Sequence, residues 1–273
     1  MAITDDEHPA FFVVYLIFRV VALFLSAGFK NAVRVVANET KMCYNTKKSI
    51  GLGGVFMLEE KKGELFFPGD AWRVAIKRRA HALNQTYNAL TEEQTEERQA
   101  VLRELLGELR EGVSFNGPIR FHYGVHTKIG KNTFFNFNFT CQDDATVTIG
   151  ENCDFGPNVT IVTPLHPMLA SERKALRCPD GTARRLCWAK PVVIGNGCWI
   201  CANVTILPGV TVGENCVIGA GSVVVRSIPA NSFAAGNPCR VIRPLTERDS
   251  MTHYPEILGD CAVCEETPQG DGE

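Results

Sequence analysis

The spacing of apolar positions changes character along the chain. Phe11 to Phe29 is an apolar run broken by Arg19 and two small positions, and the Lys-, Asn- and Gly-rich stretch from Asn38 to Gly54 reads as a linker. Between Asp70 and Asn88, Trp72, Val74, Ala75, Ala80, Leu83 and Tyr87 recur at three- and four-residue spacing, which predicts a helix. Thr91-x-x-Gln94 has the form of a capping box. It opens a second helix with acidic residues at its positive end (Glu92, Glu93, Glu96, Glu97) and the stripe Val101, Leu102, Leu105, Leu106 and Leu109. From about Ile129 the period becomes six. Ile149, Phe155 and Ile161 stand in one run; after a break, Ile194, Ile200, Ile206, Val212, Ile218 and Val224 stand in another.

A period of six predicts a mainly β fold, a parallel β-helix of triangular cross-section in which each hexad forms one flat side. Its first residue points inward, and Gly or Asn turns the corner. Eighteen residues would then close one coil, coils would stack at about 4.8 Å, and the core would be a column of Ile and Val. The fifth place of each hexad calls for a small inward side chain, and Cys153, Cys198 and Cys216 share it with Val159, Val204, Val210 and Ser222.

Composition narrows the function. The 273 residues carry 28 Lys+Arg against 30 Asp+Glu, a net charge of -2, which excludes a strongly basic nucleic-acid binder and a wholly disordered chain. Eleven cysteines are the surplus entry in the composition. Cys198-x-x-Cys201 straddles a corner, and Cys261-x-x-Cys264 lies in an acidic tail without a second pair, so no metal is expected. Asp5, Asp6 and Glu7 precede the apolar run where a secretory leader would be basic, which favours reduced thiols and a cytoplasmic protein. The run is just long enough to span a bilayer, but a mid-span Arg19 costs about 2.5–3.5 kcal/mol. Membrane contact through 11–29 therefore stands as the alternative to a packed helix or an extension with no part in the chemistry.

Several motifs carry a family resemblance: Asn136-Phe-Asn-Phe-Thr-Cys-Gln-Asp-Asp144, Gly156-Pro-Asn-Val-Thr160, Leu165-His-Pro167, Lys190-Pro-Val-Val-Ile-Gly195, Cys198-Trp-Ile200, Ile206-Leu-Pro-Gly-Val-Thr-Val-Gly213 and Ala234-Ala-Gly-Asn-Pro-Cys-Arg240-Val-Ile-Arg243. In this order they resemble the maltose/galactoside O-acetyltransferases, left-handed β-helix enzymes with a small helical N-terminal domain. The resemblance implies residues 115–248 as the β-helix and 56–114 as the helical domain, preceded by an N-terminal extension and linker (1–55) and followed by an acidic tail (249–273). It also implies a homotrimer in which acetyl-CoA and a sugar acceptor meet between subunits.

The resemblance assigns roles residue by residue. His166, at the break where the chain leaves the prism, matches the general base, a task suited to imidazole. The backbone N–H of Ala202 matches the oxyanion donor. Asn136 and Asp144 match acceptor-binding positions. Trp199 and Ala220 match the pantetheine groove, and Arg226, Arg240 and Arg243 are suited to the CoA phosphates. Departures fall on the acceptor side. The family's N-terminal domain brings an Asp soon after a Gly-x-Leu-aromatic turn, whereas Gly63-Glu-Leu-Phe66 is followed by Phe67 and Pro68, and the first carboxylate is Asp70. Leu186-Cys-Trp188 also replaces a stretch that faces the acceptor in relatives. An antibiotic O-acetyltransferase and a non-catalytic trimeric scaffold of the same fold remain as alternatives. A carbonic anhydrase would need His122, His126 and His166 to converge on one metal.

Overall fold

Three stacks of short parallel strands form the sides of a prism. The first face is built from 108–109, 127–129, 147–149, 192–194 and 211–212. The second runs through 114–115, 134–135, 154–155, 199–200, 217–218 and 232–235, and the third through 119–121, 139–142, 160–162, 205–206 and 223–224. The computed structural model describes residues 66–178 and 181–259, all within one unit of the chain, residues 57–273. The expectations for the run 11–29, the linker, Gly63 to Leu65, and Cys261 and Cys264 lie outside the described residues.

All nine aliphatic and aromatic positions of the six-residue phase, from Ile149 to Val224, are buried. The coil length differs from the expected eighteen. Val193 pairs with Thr211, a step of 18, but Glu108 pairs with Lys128 and Lys128 with Thr148, steps of 20. The two extra residues lie at the corner between the third and first faces, so the period of six is interrupted there in every early coil. The core of these longer coils is aromatic rather than purely aliphatic. Phe115, Phe135 and Phe155 stack at 4.1 and 4.5 Å along the second face, close to the strand spacing, with Phe121 and Phe139 beside them. Further down, Ile200, Ile206, Val212, Ile218 and Val224 take over.

The cysteine column is as the phase requires: Cys153, Cys198 and Cys216 are buried and unbridged. Each thiol points to a carbonyl of the next coil, Cys153 Sγ to Gly195 O at 3.2 Å, Cys198 to Gly213 O at 3.1 Å and Cys216 to Pro229 O at 3.0 Å. Thr133 uses its hydroxyl in the same way on Gly150 O at 3.0 Å. Four successive coils at this corner thus fill the place with a small side chain that also donates.

The predicted helices are α1 (Ala71–Ala89) and α2 (Thr95–Leu105). α2 starts later than the capping box suggests. Gln94 Oε1 accepts from Thr91 N–H at 3.0 Å, but Gln94 N–H turns to Thr91 O instead of the hydroxyl, so 91–94 is a turn and only Glu96 and Glu97 lie in the first helical turn. The buried stripe of α1 also differs: it holds Arg73, Ala80, Asn84 and Tyr87. The reason is the exposed end of the prism, where strand 119–121 would leave its N–H and C=O groups without partners. Asn84 accepts from Phe121 N–H (3.1 Å) and donates to Phe121 O (2.7 Å); one turn later, Asn88 does the same to Ile119 (2.7 and 2.9 Å). Tyr87 and Arg98 donate to Phe115 O, and Gln99 to Val113 O. Leu102, Leu105 and Tyr87 then join the prism's own core.

Asn84→Ala should strip both partners from Phe121 and lower the urea unfolding free energy by about 2 kcal/mol; a loss below about 0.5 kcal/mol would show that water reaches this edge. On the same helix, burial, Lys77 and His81 hold His122 down to about 4. The unfolded chain, titrating near 6.5, binds this proton more readily, so the contribution of a neutral His122 is full above about pH 6.5 and declines as pH falls toward 4. His122→Gln should therefore lose less stability than the parent between pH 7 and 4.5, read from unfolding midpoints.

Candidate active site

The corner between the third and first faces lacks the tight closure of the other two. In the second coil it is anchored by Asp143, whose buried carboxylate accepts from Tyr123 N–H (2.8 Å) and from the Thr127 hydroxyl (2.9 Å). Burial raises its pKa, and these donors oppose the rise. Asp144 follows it and is 3% exposed. Its neighbour Ala145 packs in a small cluster with Phe66, Cys187 and Ala189.

One coil further on, the same corner opens into an excursion. Lys190 N–H bonds Thr163 O at 3.0 Å to close its neck, and Pro164–Leu165 pairs antiparallel with Trp188–Ala189. His166 leaves this ladder exposed to solvent, with Nδ1 3.3 Å from Leu186 O. A carbonyl can only accept, so this bond places the proton on Nδ1 and leaves the Nε2 lone pair facing outward. Phe66 and Cys187 exchange backbone hydrogen bonds (2.8 and 3.3 Å), which joins the segment before α1 to the strand that holds His166. The Arg73 guanidinium lies over Phe66 (4.1 Å) and Trp72 (4.3 Å), and Arg184 over Phe67 (4.8 Å). The two acceptor-side departures therefore meet at one place. Asp70 stands at the start of α1, after the turn closed by its N–H on Phe67 O.

The remaining candidates lie on the second face and on the corner between the second and third faces. Trp199 projects from the second face, 55% exposed. On the corner, Cys201 N–H and Asn203 N–H are used by Ile218 O and Pro157 O, whereas Ala202 N–H, between them, has no partner among the described residues. A Cβ on Gly156 would lie 2.6 Å from Ala202 N, so glycine below keeps that amide uncovered. Ala220 stacks one coil on, with Gly221 N–H bonded to Ala202 O. Asn136 shares this corner and uses its amide oxygen on Phe137 N–H (2.9 Å) and Asn116 (3.2 Å).

Arg226 is exposed on the third-to-first corner, and Arg240 on the final antiparallel strand 240–244. Arg243 is held in a fork by Asp249 at 2.7 and 2.6 Å, which pulls that carboxyl down to about 2. Within one chain, then, His166, Asp144 and Arg226 occupy one edge of the third face, and Ala202, Ala220 and Asn136 the other. Sequence reasoning missed Leu186, the carbonyl that orients His166, and Asp143, which anchors the corner. The first is twenty residues from its partner and visible only through strand pairing. Among the described residues, no three His, Cys, Asp or Glu side chains are grouped to hold a metal, and no helix is long and apolar enough to cross a membrane.

Comparison with known proteins identifies relatives of the same fold. Residues 191–226 match the family described as bacterial transferase hexapeptide (six repeats), and 61–110 match the maltose acetyltransferase hexapeptide capping motif. The chain is 41% identical to a galactoside O-acetyltransferase of Escherichia coli over 68% of this chain and 87% of that one. It is 35% identical to a galactoside O-acetyltransferase of Lactococcus lactis over 70% and 88%. Among solved structures, a galactoside acetyltransferase in complex with coenzyme A matches with a TM-score of 0.63 and 38% identity, over 68% of this chain and 89% of that one. A maltose O-acetyltransferase from Clostridium difficile matches with a TM-score of 0.61 and 36% identity, over 68% and 94%.

Proposed function

Since this chain belongs to the maltose/galactoside O-acetyltransferase family and is an acetyl-CoA-dependent O-acetyltransferase, we propose that it acetylates a sugar hydroxyl by direct attack, with His166 as the base. The observation that carries the mechanism is the His166 Nδ1 bond to Leu186 O. Nε2 takes the hydroxyl proton as the sugar oxygen attacks the thioester carbon. The oxyanion receives the Ala202 N–H. On collapse the C–S bond breaks, and CoA leaves as the thiol with the proton from His166.

The residues present suit acetyl-CoA. Trp199 offers an apolar face for the pantetheine arm, and the small side chains of Ala202 and Ala220 leave a groove between two coils. Arg226 and Arg240 are open to phosphate; Arg243 would exchange Asp249 for it. The chain also functions as a homotrimer in this reading. The two groups of site residues are separated by the width of the third face, roughly 15–20 Å at about 3.3 Å per residue, whereas reacting atoms must come within about 3.5 Å. A second copy is needed to bring Ala202 to His166. Residues 56–114 act as the capping domain, 115–248 as the catalytic prism and 249–273 as a tail. Asn136 and Asp144 serve the acceptor, and the reaction is placed in the cytoplasm.

His166→Ala should lower sugar-dependent thiol release from acetyl-CoA at least about a hundredfold in kcat; full activity would overturn the assignment. The shared site has its own test. His166→Ala and Ala202→Pro subunits, each inactive alone, should regain activity when co-expressed, because one interface of a mixed trimer keeps both intact groups. Absence of recovery in mixed trimers confirmed by mass would place the site within one chain.

A further inference from the structure

The excursion that begins at His166 is cationic. Between Pro167 and Lys190 the chain holds Arg173, Lys174, Arg177, Arg184, Arg185 and Lys190 against Glu172 and Asp180, in a protein of net charge -2. Arg173, Lys174, Arg177 and Arg185 are exposed and have no carboxylate partner among the described residues, whereas Arg79, Arg110, Lys131 and Arg243 each have one. Two of the four connect to the segments that flank His166, Arg173 through its side chain and Arg185 through the chain itself. Arg173 donates to Pro167 O (3.1 Å) and Met168 O, directly after His166, and Arg185 precedes Leu186, whose carbonyl holds His166. Arg177 is fixed by the pairing of Leu176–Arg177 with Ala183–Arg184.

These cations are not placed for the CoA phosphates. Arg226, Arg240 and Arg243 lie two to four coils further along the prism, about 10–20 Å at about 4.8 Å per coil. The excursion stands at the His166 end, where the acceptor arrives. It also meets Phe66 and Phe67 there in place of the carboxylate that relatives carry after this turn. The segment joined to His166 thus has Phe67 and Pro68 after the turn instead of a carboxylate, and the excursion carries guanidinium groups, which bind phosphate and carboxylate oxygens in pairs.

We propose that the acceptor is an anionic saccharide, one bearing a phosphate or a carboxylate, recognised by Arg173, Arg177 and Arg185. The proposal rests on the sugar O-acetyltransferase reading above. The test uses the full-length chain and matched acceptors: glucose, glucose 6-phosphate and glucuronate, and the galactose series likewise, with thiol release from acetyl-CoA as the readout. The anionic member of at least one series should have a kcat/KM about tenfold or more above its neutral partner at low salt, and the ratio should fall toward one at about 0.5 M salt. The Arg177→Glu/Arg185→Glu chain should lose the preference. Its trimeric mass and unfolding midpoint would be checked first; should it not fold, Arg177→Gln serves in its place, with a smaller loss of the ratio. Whether phosphate or carboxylate is preferred identifies the group. Equal use of neutral and anionic sugars, or a preference kept by the charge-altered chain, overturns this proposal and leaves sugar acetylation standing. Thiol release with none of the sugars overturns both.

Discussion

Everything in this fold depends on corners that an ordinary side chain resists. A coil that closes in three sides needs a sharp turn after each strand; two of the three turns use the left-handed region in coil after coil, the third, outside the excursion, only at Gly124 and Gly209. Between the first and second faces it is taken by Asn132, Asn152, Asn215 and Asn231, at φ between 52° and 55°, and by Gly197. Between the second and third faces it is taken by Asn138, Asn158 and Asn203 at 62°, 60° and 59°, then by Gly221. Asparagine visits this region at less cost than other residues with a Cβ, and here its amide adds a ladder. Asn138 donates to Asn158, and Asn158 to Asn203, both at 3.1 Å. The third corner has no comparable run. It is therefore free to lengthen, first by two residues and then into the whole excursion, and His166 stands on the corner whose backbone is least committed.

The stacked strands create a second demand at the ends of the prism. Each coil satisfies the next, so the first coil presents unpaired edges, and the helices answer with side chains rather than backbone. Asn84 and Asn88, one helical turn apart, match the rise between Phe121 and Ile119 on the edge strand. The opposite end is finished by the antiparallel strand 240–244, which also carries Arg240 and Arg243. Ending the solenoid and the cofactor role proposed for Arg240 and Arg243 fall on one element.

Legibility in the sequence follows from the same geometry. The coils from Ile194 to Val224 are readable because their corners contain six-residue spacing throughout. The coils before Ile149 are not, because the longer third corner shifts the phase and phenylalanine replaces the aliphatic signal. His166 could be found because the break in the repeat exposes it. Its orientation could not, since Leu186 enters through a strand pairing across the excursion. Asn136 and Asp144 show the limit of spacing most plainly. They are close in the chain, yet an intervening strand carries them to opposite edges of the third face. The polar stripe of α1 was hidden for another reason: a search for apolar periodicity passes over Asn84, whose burial serves hydrogen bonding.

In the proposed mechanism donor chemistry and acceptor choice rest on separable parts of the molecule. Trp199, Ala202 and Ala220 belong to the repeating prism, whose backbone at these positions is fixed by the coils before and after it. The excursion is attached to the prism at its neck and to the segment around Phe66 through Cys187. The Phe66 bridge and the His166 bond fall on successive residues, Cys187 and Leu186, so the N-terminal segment and the imidazole are held by one stretch of backbone. In the proposed mechanism the piece that meets the acceptor is thereby joined to the backbone that orients the base, whereas the prism keeps its cofactor surface while that piece varies.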